Sequence, residues 1–274
     1  MIAALLQMTA GVDPAANARV LTDAVAAAKR DGAAMLFTPE MSNLLDRNRA
    51  RAATAIVPEE EDRVLAVVRE AAAREGIWVA LGSLAVRRPD GRYANRSLVI
   101  DDAGSVRARY DKLHLFDVDL PTGESWRESA AYAPGERAVV VDTPVGRLGL
   151  SICYDLRFPA LYQALSAAGA TCLAIPAAFT RPTGAAHWEV LLRARAIESA
   201  AFVLAAAQAG EHDDGRATWG HSLGVDPWGS VLADLGDRPG LQIVPLDPGA
   251  VATARARVPV VEHRRAIPAV EVAT

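Results

Sequence analysis

The stretch RLGLSICYDLRFP, Arg147–Pro159, decides how this chain is read. Leu148 to Ile152 is a short apolar run of the kind that forms a strand buried on both faces. It stops at Cys153, and the polar residues Tyr154 and Asp155 follow at once. Beyond Pro159 comes ALYQALSAAGA, whose Leu161, Ala164, Leu165 and Ala168 recur at helical spacing. The pattern predicts a buried strand that turns sharply into a helix, with a thiol at the bend. Such a bend lifts a side chain out of the sheet and turns the backbone N–H groups of the helix start towards it. A lone cysteine after an apolar strand is more often a small core residue than a nucleophile. Partners elsewhere in the chain must decide.

Strand and helix signals alternate on both sides of this bend. Upstream, Ile2–Gln7 reads as a strand and Pro14–Arg30 as a helix with Val20, Leu21, Ala24, Val25 and Ala28 on one face. Ala33–Phe37 is a short apolar run ending in Thr38-Pro39-Glu40. Glu59–Glu75 is an amphipathic helix, and Trp78–Gly82 and Leu84–Arg87 are strands. Ser97–Ile100 and Val106–Tyr110 form a hairpin around Asp102-Ala103-Gly104. Leu113–Gly135 is irregular and longer than an ordinary connection, which is typical of functional loops. Downstream, Val139–Asp142 and Cys172–Pro176 are strands, Ala185–Ala200 is a helix and Ala201–Ala207 is another strand. Ser222–Val225 pairs with Ser230–Leu235, Gln242–Leu246 is the last strand, and the tail from Pro248 has little periodicity. The expectation is a single α/β domain over residues 1–274, with more strands than a simple doubly wound sheet needs. Residues 248–274 are expected to form a C-terminal tail used in packing or dimer contacts.

Composition sets the outer bounds. Of 274 residues, 51% are hydrophobic and 23% charged, ample for a deep core. The net charge of −4 comes without a Lys/Arg block, which argues against nucleic acid and anionic membranes as partners. No apolar run reaches the length of a membrane span, and MIAALLQMTAG lacks the basic start of a signal peptide. The two cysteines, Cys153 and Cys172, form no C-x-x-C and no metal spacing with the five histidines. A reduced, cytoplasmic protein with no metal site and no cofactor is expected.

Three polar residues share one placement, just past the end of a strand: Glu40, Lys112 and Cys153. In α/β sheets that edge is where ligands bind. A thiol of pKa roughly 8.5 needs a base or a positive neighbour to attack at neutral pH. Glu40 could take its proton, and Lys112 could stabilise a thiolate and a developing oxyanion. A salt bridge explains Glu40 and Lys112 equally well. Gly220–Gly224 (GHSLG) matches the nucleophile elbow of serine hydrolases, with Asp234 or Asp237 and His263 as formal partners of Ser222. Ser222 is followed by a hairpin turn, not a helix, which counts against that reading. His187, Trp188 and Glu189 read as the first turn of a helix, and Arg193, Arg195 and Glu198 as an ion-pair network on it. Cys172 lies inside an apolar run and reads as core.

Together these residues resemble the nitrilase superfamily of carbon–nitrogen hydrolases. Glu40 in FTPE, Lys112 in YDKLHLFDVD and Cys153 in SICYDLRFP look like that family's Glu–Lys–Cys triad, in the right order. Thr183–Glu198 (TGAAHWEVLLRARAIE), Trp219–Gly229 (WGHSLGVDPWG) and Val260–Arg265 (VVEHRR) are similar to the branch holding the deaminated-glutathione amidases and the omega-amidases. The resemblance implies an α-β-β-α sandwich that pairs through a helical face into a homodimer or larger assembly. It implies Glu40 as general base, Cys153 as nucleophile, and Lys112 with the Tyr154 backbone N–H as oxyanion hole. Glu128, in WRES, matches a second glutamate that holds Lys112. The implied reaction is hydrolysis, through a thioester and without cofactors, of a small 2-oxo acid amide. Deaminated glutathione giving 2-oxoglutarate and cysteinylglycine is the first choice; 2-oxoglutaramate and aliphatic or N-carbamoyl amides are the alternatives. Arg157, Phe179, Thr180 and Arg181 are the expected contacts for the substrate's acid group. A scaffold that has kept the fold without the activity is the reading from another class.

Overall fold

The structure, a computed structural model, describes residues 1–119, 123 and 125–273. The first half runs β1 (Ile2–Gln7), α1 (Pro14–Arg30), β2 (Met35–Phe37), α2 (Arg49–Ala55), α3 (Arg63–Glu75), β3 (Trp78–Arg87), β4 (Tyr93–Ile100) and β5 (Val106–Asp111). A small hairpin, β6 (Asp117–Asp119) and β7 (Ser125–Arg127), leads to the second half. That half holds β8 (Val140–Thr143), β9 (Gly146–Leu150), α4 (Pro159–Ala167), β10 (Cys172–Ala174), α5 (Arg181–Ser199) and β11 (Phe202–Ala205). A second small hairpin, β12 (Ala209–Glu211) and β13 (Ala217–Trp219), precedes β14 (Leu223–Val225), β15 (Val231–Asp234), β16 (Gly240–Pro245) and α6 (Ala250–Arg257).

Two six-stranded sheets follow, ordered β16-β1-β2-β3-β4-β5 and β15-β14-β11-β10-β9-β8. Each has three parallel strands at its centre, β1-β2-β3 in one and β9-β10-β11 in the other, flanked by antiparallel ones. The period of two along each strand explains the layering. Ala3, Leu5, Met35, Phe37 and Ala80 point into the core shared with the second sheet. Their neighbours Ala4, Leu6, Leu36, Val79 and Leu81 point the other way, onto α1 and α3. On the far side, Leu161 of α4 and Trp188 and Leu192 of α5 cover the second sheet. The chain is one α-β-β-α sandwich.

Local chemistry sets the helix ends. Asp13 caps α1 by accepting from the Ala15 N–H, with Pro14 in the first turn. Asp62 caps α3 by accepting from Leu65, and Gly76 ends it in the left-handed conformation. The expected helix over Glu59–Glu75 is therefore interrupted: Glu59–Glu61 forms a separate 3₁₀ turn and the α-helix starts at Arg63. α5 begins at Arg181, four residues earlier than its apolar stripe suggests, because Pro182 suits a first turn. Glu189 consequently sits mid-helix, paired with Arg193 at 3.3 Å, and is not a first-turn acid. Trp78–Arg87 is one strand with a register shift between Leu81 and Leu84, where the sequence suggests two. The tail carries α6, whose Val251 and Ala254 are buried. Two buried residues in eight give no helical period to read. Arg255 donates to Ala170 O at 2.7 Å, and Arg264 to Gln163 O at 2.8 Å and Glu198 O at 2.9 Å, so the tail packs on the α4–α5 layer.

Candidate active site

Glu40, Lys112, Glu128 and Cys153 meet at the carboxyl ends of the central strands. Glu40 lies three residues past β2, and Lys112 directly follows β5. Cys153 lies three residues past β9, and Glu128 opens a 3₁₀ turn after β7. Glu40, Lys112 and Cys153 are 4%, 2% and 8% exposed. At that depth a lone charge would be very costly, so each must be matched.

Lys112 Nζ donates to Glu40 Oε1 at 2.9 Å and to Glu128 Oε2 at 2.9 Å. Glu40 Oε1 also accepts from Asn95 Nδ2 at 2.9 Å, and Glu40 Oε2 accepts from the Ala178 N–H at 2.9 Å. The Gln208 amide donates to the Glu40 carbonyl at 2.9 Å, fixing its backbone. Glu128 accepts from the Phe116 N–H at 2.7 Å, so this carboxylate holds the loop after Lys112 as well as Lys112 itself. Burial alone would discharge Lys112. Glu128 first, then Glu40, reverse that and hold its pKa well above the ordinary value.

Cys153 begins a 3₁₀ turn, Cys153–Arg157, and α4 starts only at Pro159. The thiol is thus presented by the turn and not by the α-helix start that the sequence suggests. Its backbone is left-handed, φ 49°, a strained value for a residue with a Cβ, and its N–H donates to Pro176 O at 2.8 Å. Asp155 pins the turn: it accepts from Ile152 N at 2.9 Å, from the Tyr110 hydroxyl at 2.6 Å and from His114 N at 3.0 Å. Arg195, 4% exposed, donates twice to Leu156 O, at 3.0 and 2.9 Å. The Tyr154 N–H has no acceptor among the described residues. Burial, and then the negative Glu40, push the Cys153 thiol well up, with Lys112 pulling the other way. The resting pair is therefore a neutral thiol beside a carboxylate, and a thiol so placed needs a proton acceptor before it can attack.

This constellation, on this fold, matches the family model described as carbon-nitrogen hydrolase over residues 2–256. The chain belongs to that family. It is 42% identical over 265 residues to the deaminated glutathione amidase of Yersinia enterocolitica, covering 96% of this chain and 92% of that one. It is 39% identical to the human protein of the same name over 269 residues, covering 96% and 82%. Among solved structures, the Caenorhabditis elegans NitFhit protein superposes with a TM-score of 0.88 at 40% identity, covering 96% of this chain and 65% of that one. The amidase of Nesterenkonia sp. AN1, with acrylamide added at its active-site cysteine in a Glu-to-Gln mutant, gives a TM-score of 0.78 at 30% identity, covering 94% and 98%.

Within this carbon–nitrogen hydrolase, the expected acid-binding residues do not all converge. Arg157 lies half-buried in the nucleophile's own turn, 5.3 Å above the Phe179 ring, with its Nη1 3.3 Å from His187 Nδ1. Thr180 is buried and shares a hydrogen bond with Thr183 at 2.8 Å. Arg181 is exposed and lies 3.8 Å from Glu211, so its charge is already matched. Ser222 is a structural residue: fully buried, its hydroxyl accepts from Ala207 N at 2.8 Å and its N–H donates to Gln7 at 2.7 Å. Asp234 pairs instead with His221 at 3.0 Å, and His263 is exposed on the tail. Cys172 is core, its thiol pushed up to about 12 by burial.

Sequence reading missed Asn95, the Ala178 N–H and an aromatic wall beside Cys153. Phe116 meets Tyr154 edge-on at 5.1 Å, and Trp126 packs 6.3 Å from Phe116. Asn95 did leave a signal: it is a polar residue in a strand that is otherwise largely apolar and buried.

Proposed function

We propose that this chain is a cysteine-dependent amidase acting on an amide of a small 2-oxo acid, with deaminated glutathione as the first-choice substrate. One observation carries the chemistry: a buried ammonium, Lys112, held between Glu40 and Glu128, with the buried Cys153 thiol close enough to feel both the Glu40 and the Lys112 charge.

In this reading Glu40 takes the thiol proton as Sγ attacks the amide carbonyl. Lys112 and the free Tyr154 N–H receive the oxyanion, a type of contact worth roughly 3–4 kcal/mol per donor. The C–N bond breaks as Glu40 returns the proton to the leaving amine, leaving an acyl thioester on Cys153. Water then attacks, Glu40 takes one of its protons, and the collapse releases the acid and the thiol. The route uses side chains, a backbone N–H and water alone. Tight pairing of Lys112 with two carboxylates keeps it charged, as an oxyanion donor requires.

The relatives named deaminated glutathione amidase support the substrate assignment. Both deaminated glutathione and 2-oxoglutaramate carry an acidic 2-oxo end. Arg157 suits it, since among the described residues no carboxylate lies within salt-bridge distance of its guanidinium. The larger leaving group, cysteinylglycine, would lie against the Phe116–Tyr154 wall. We assign the enzyme to the cytoplasm, where its two free cysteines would stay reduced; no helix among the described residues is long and apolar enough to cross a membrane. We also assign it to a homodimer or larger assembly through a helical face, on the exposure of Val190 and Ile197 along α5.

The experiment is side-by-side release of 2-oxoglutarate from deaminated glutathione and 2-oxoglutaramate, with Cys153→Ala as control. Higher kcat/KM for the first is expected. Preference for the second makes it an omega-amidase, and turnover of neither removes the substrate assignment.

A further inference from the structure

Asn95 sits in β4, 1% exposed, opposite Ala85 of β3. Its carbonyl accepts from the Lys112 N–H at 3.0 Å, so the backbone of the lysine is built on it. Its side-chain amide donates to both carboxylates of the site, Glu40 Oε1 at 2.9 Å and Glu128 Oε1 at 3.2 Å. Its Oδ1 is buried with no hydrogen-bond partner among the described residues. A buried unpaired carbonyl is costly, and it needs a reason. Turning the amide over would free the N–H group but press Oδ1 against two carboxylate oxygens. The carboxylates therefore fix the amide's orientation, and the orphaned oxygen is the consequence.

We propose that Asn95 is the positioning residue that clamps Glu40 and Glu128 on either side of Lys112 throughout the reaction. The proposal rests on the reading of Glu40 as the base that carries the Cys153 proton. Glu40 must then lose its negative charge and regain it within each half-reaction. Its bond to Lys112 is charge-assisted and weakens sharply when Glu40 is protonated. The bond from the neutral Asn95 amide changes less, so it keeps the carboxyl group aimed while the ion pair is relaxed. A lysine here would compete for the proton's place by adding positive charge. An aspartate would set a third carboxylate against two. A neutral donor avoids both, and the short, buried asparagine side chain, on a strand paired on both sides, has little freedom to wander. The groups facing it are Glu40, Glu128 and Lys112, with Tyr132 close enough to feel both carboxylates and Arg216.

The test uses two near-isosteric variants, Asn95→Leu and Asn95→Asp, and two readouts on the full chain. One readout is kcat and KM for deaminated glutathione; the other is the rate of Cys153 alkylation by iodoacetamide, which needs no substrate assignment. Each variant is compared with wild type from mildly acidic to neutral pH, with folding followed by thermal melting. Asn95→Leu is expected to lower kcat and the alkylation rate roughly tenfold or more, the usual cost of losing a group that orients a reactive one, with KM little changed. Its activity relative to wild type should fall further towards acid pH. Asn95→Asp should show the opposite slope: its relative activity rises as pH falls, because a protonated carboxyl supplies an O–H donor in place of the amide. Opposite slopes support the clamp. Equal, pH-independent losses in the two variants, or a wild-type alkylation rate in Asn95→Leu, overturn it. If Asn95→Leu does not fold, the slope of Asn95→Asp decides alone. If wild type does not turn over deaminated glutathione, the substrate assignment fails while the alkylation arm still judges the clamp.

Discussion

The two sheets share one plan and divide the chemistry unequally. Each sets three parallel strands between antiparallel flanks, and each brings an end of its central strands to the site. The first half supplies Glu40, Asn95 and Lys112, groups that hold charge and protons. The second supplies Cys153 and the Ala178 N–H, the sulfur and a backbone donor. The first half's groups are pinned by side chains around a buried ammonium. The second half's Cys153 is set by backbone strain, a left-handed residue tied to Pro176 and braced by Asp155 and Arg195. Around the charged groups the fold uses side-chain contacts to balance charge; around the sulfur it uses them to fix an angle.

Breaking either half separately gives the largest effects. Cys153→Ala should abolish turnover and alkylation together. Glu40→Gln should cut kcat by on the order of a thousandfold or more, as removal of a member of a catalytic unit does. It should nevertheless leave a thiol that alkylates. With its proton acceptor gone, that thiol should react more slowly than wild type's at neutral pH and recover as rising pH ionises it directly. A rate–pH profile for iodoacetamide, read beside 2-oxoglutarate release, checks both halves at once.

Asp155→Asn sharpens the comparison at the seam. Asp155 accepts from Tyr110 and His114 of the first half and from Ile152 beside the nucleophile. The substitution should destabilise by about 1–3 kcal/mol, the cost of mismatching a buried acceptor, and lower kcat about tenfold. A denaturant melt and initial rates separate the two effects. The smallest effect belongs to Cys172→Ala, a buried thiol with no catalytic neighbour. It should cost about 1 kcal/mol for the lost sulfur contacts and leave kcat unchanged. Mass spectrometry of the native protein after iodoacetamide should find one modified cysteine, Cys153.

Much of this was legible in the sequence. Apolar runs before Glu40 and Cys153 and an alternating one before Lys112 reveal the strands and the three residues past them; a strand buried on both faces cannot carry a charge until it leaves the sheet, while the one before Lys112 alternates. α1 was readable from Pro14 to Arg30, and the structure adds Asp13 as its cap. Other features carried a local signal too weak to assign a role, or none. Asn95 acts through partners 55 and 33 residues away in sequence, a distance no period can encode. The start of α5 is set by Pro182, which weighs as much for a turn as for a helix. The hairpins of three-residue strands, β6–β7 and β12–β13, are too short to alternate.

Gly82 sits at the register shift in β3, directly beneath the site. A Cβ placed there would lie 1.8 Å from Thr38 O, 2.6 Å from Pro39 O and 2.7 Å from Pro176 Cβ. Those three atoms belong to the backbone just before Glu40 and to the residue that accepts the Cys153 N–H. The two halves are thus close enough to work as one centre only where the chain has nothing to add. In mutational terms position 82 has an alphabet of one letter. Any side chain there would wedge the backbone before Glu40 away from Pro176, so a single methyl group would act as a spacer between the segments that carry Glu40 and Cys153.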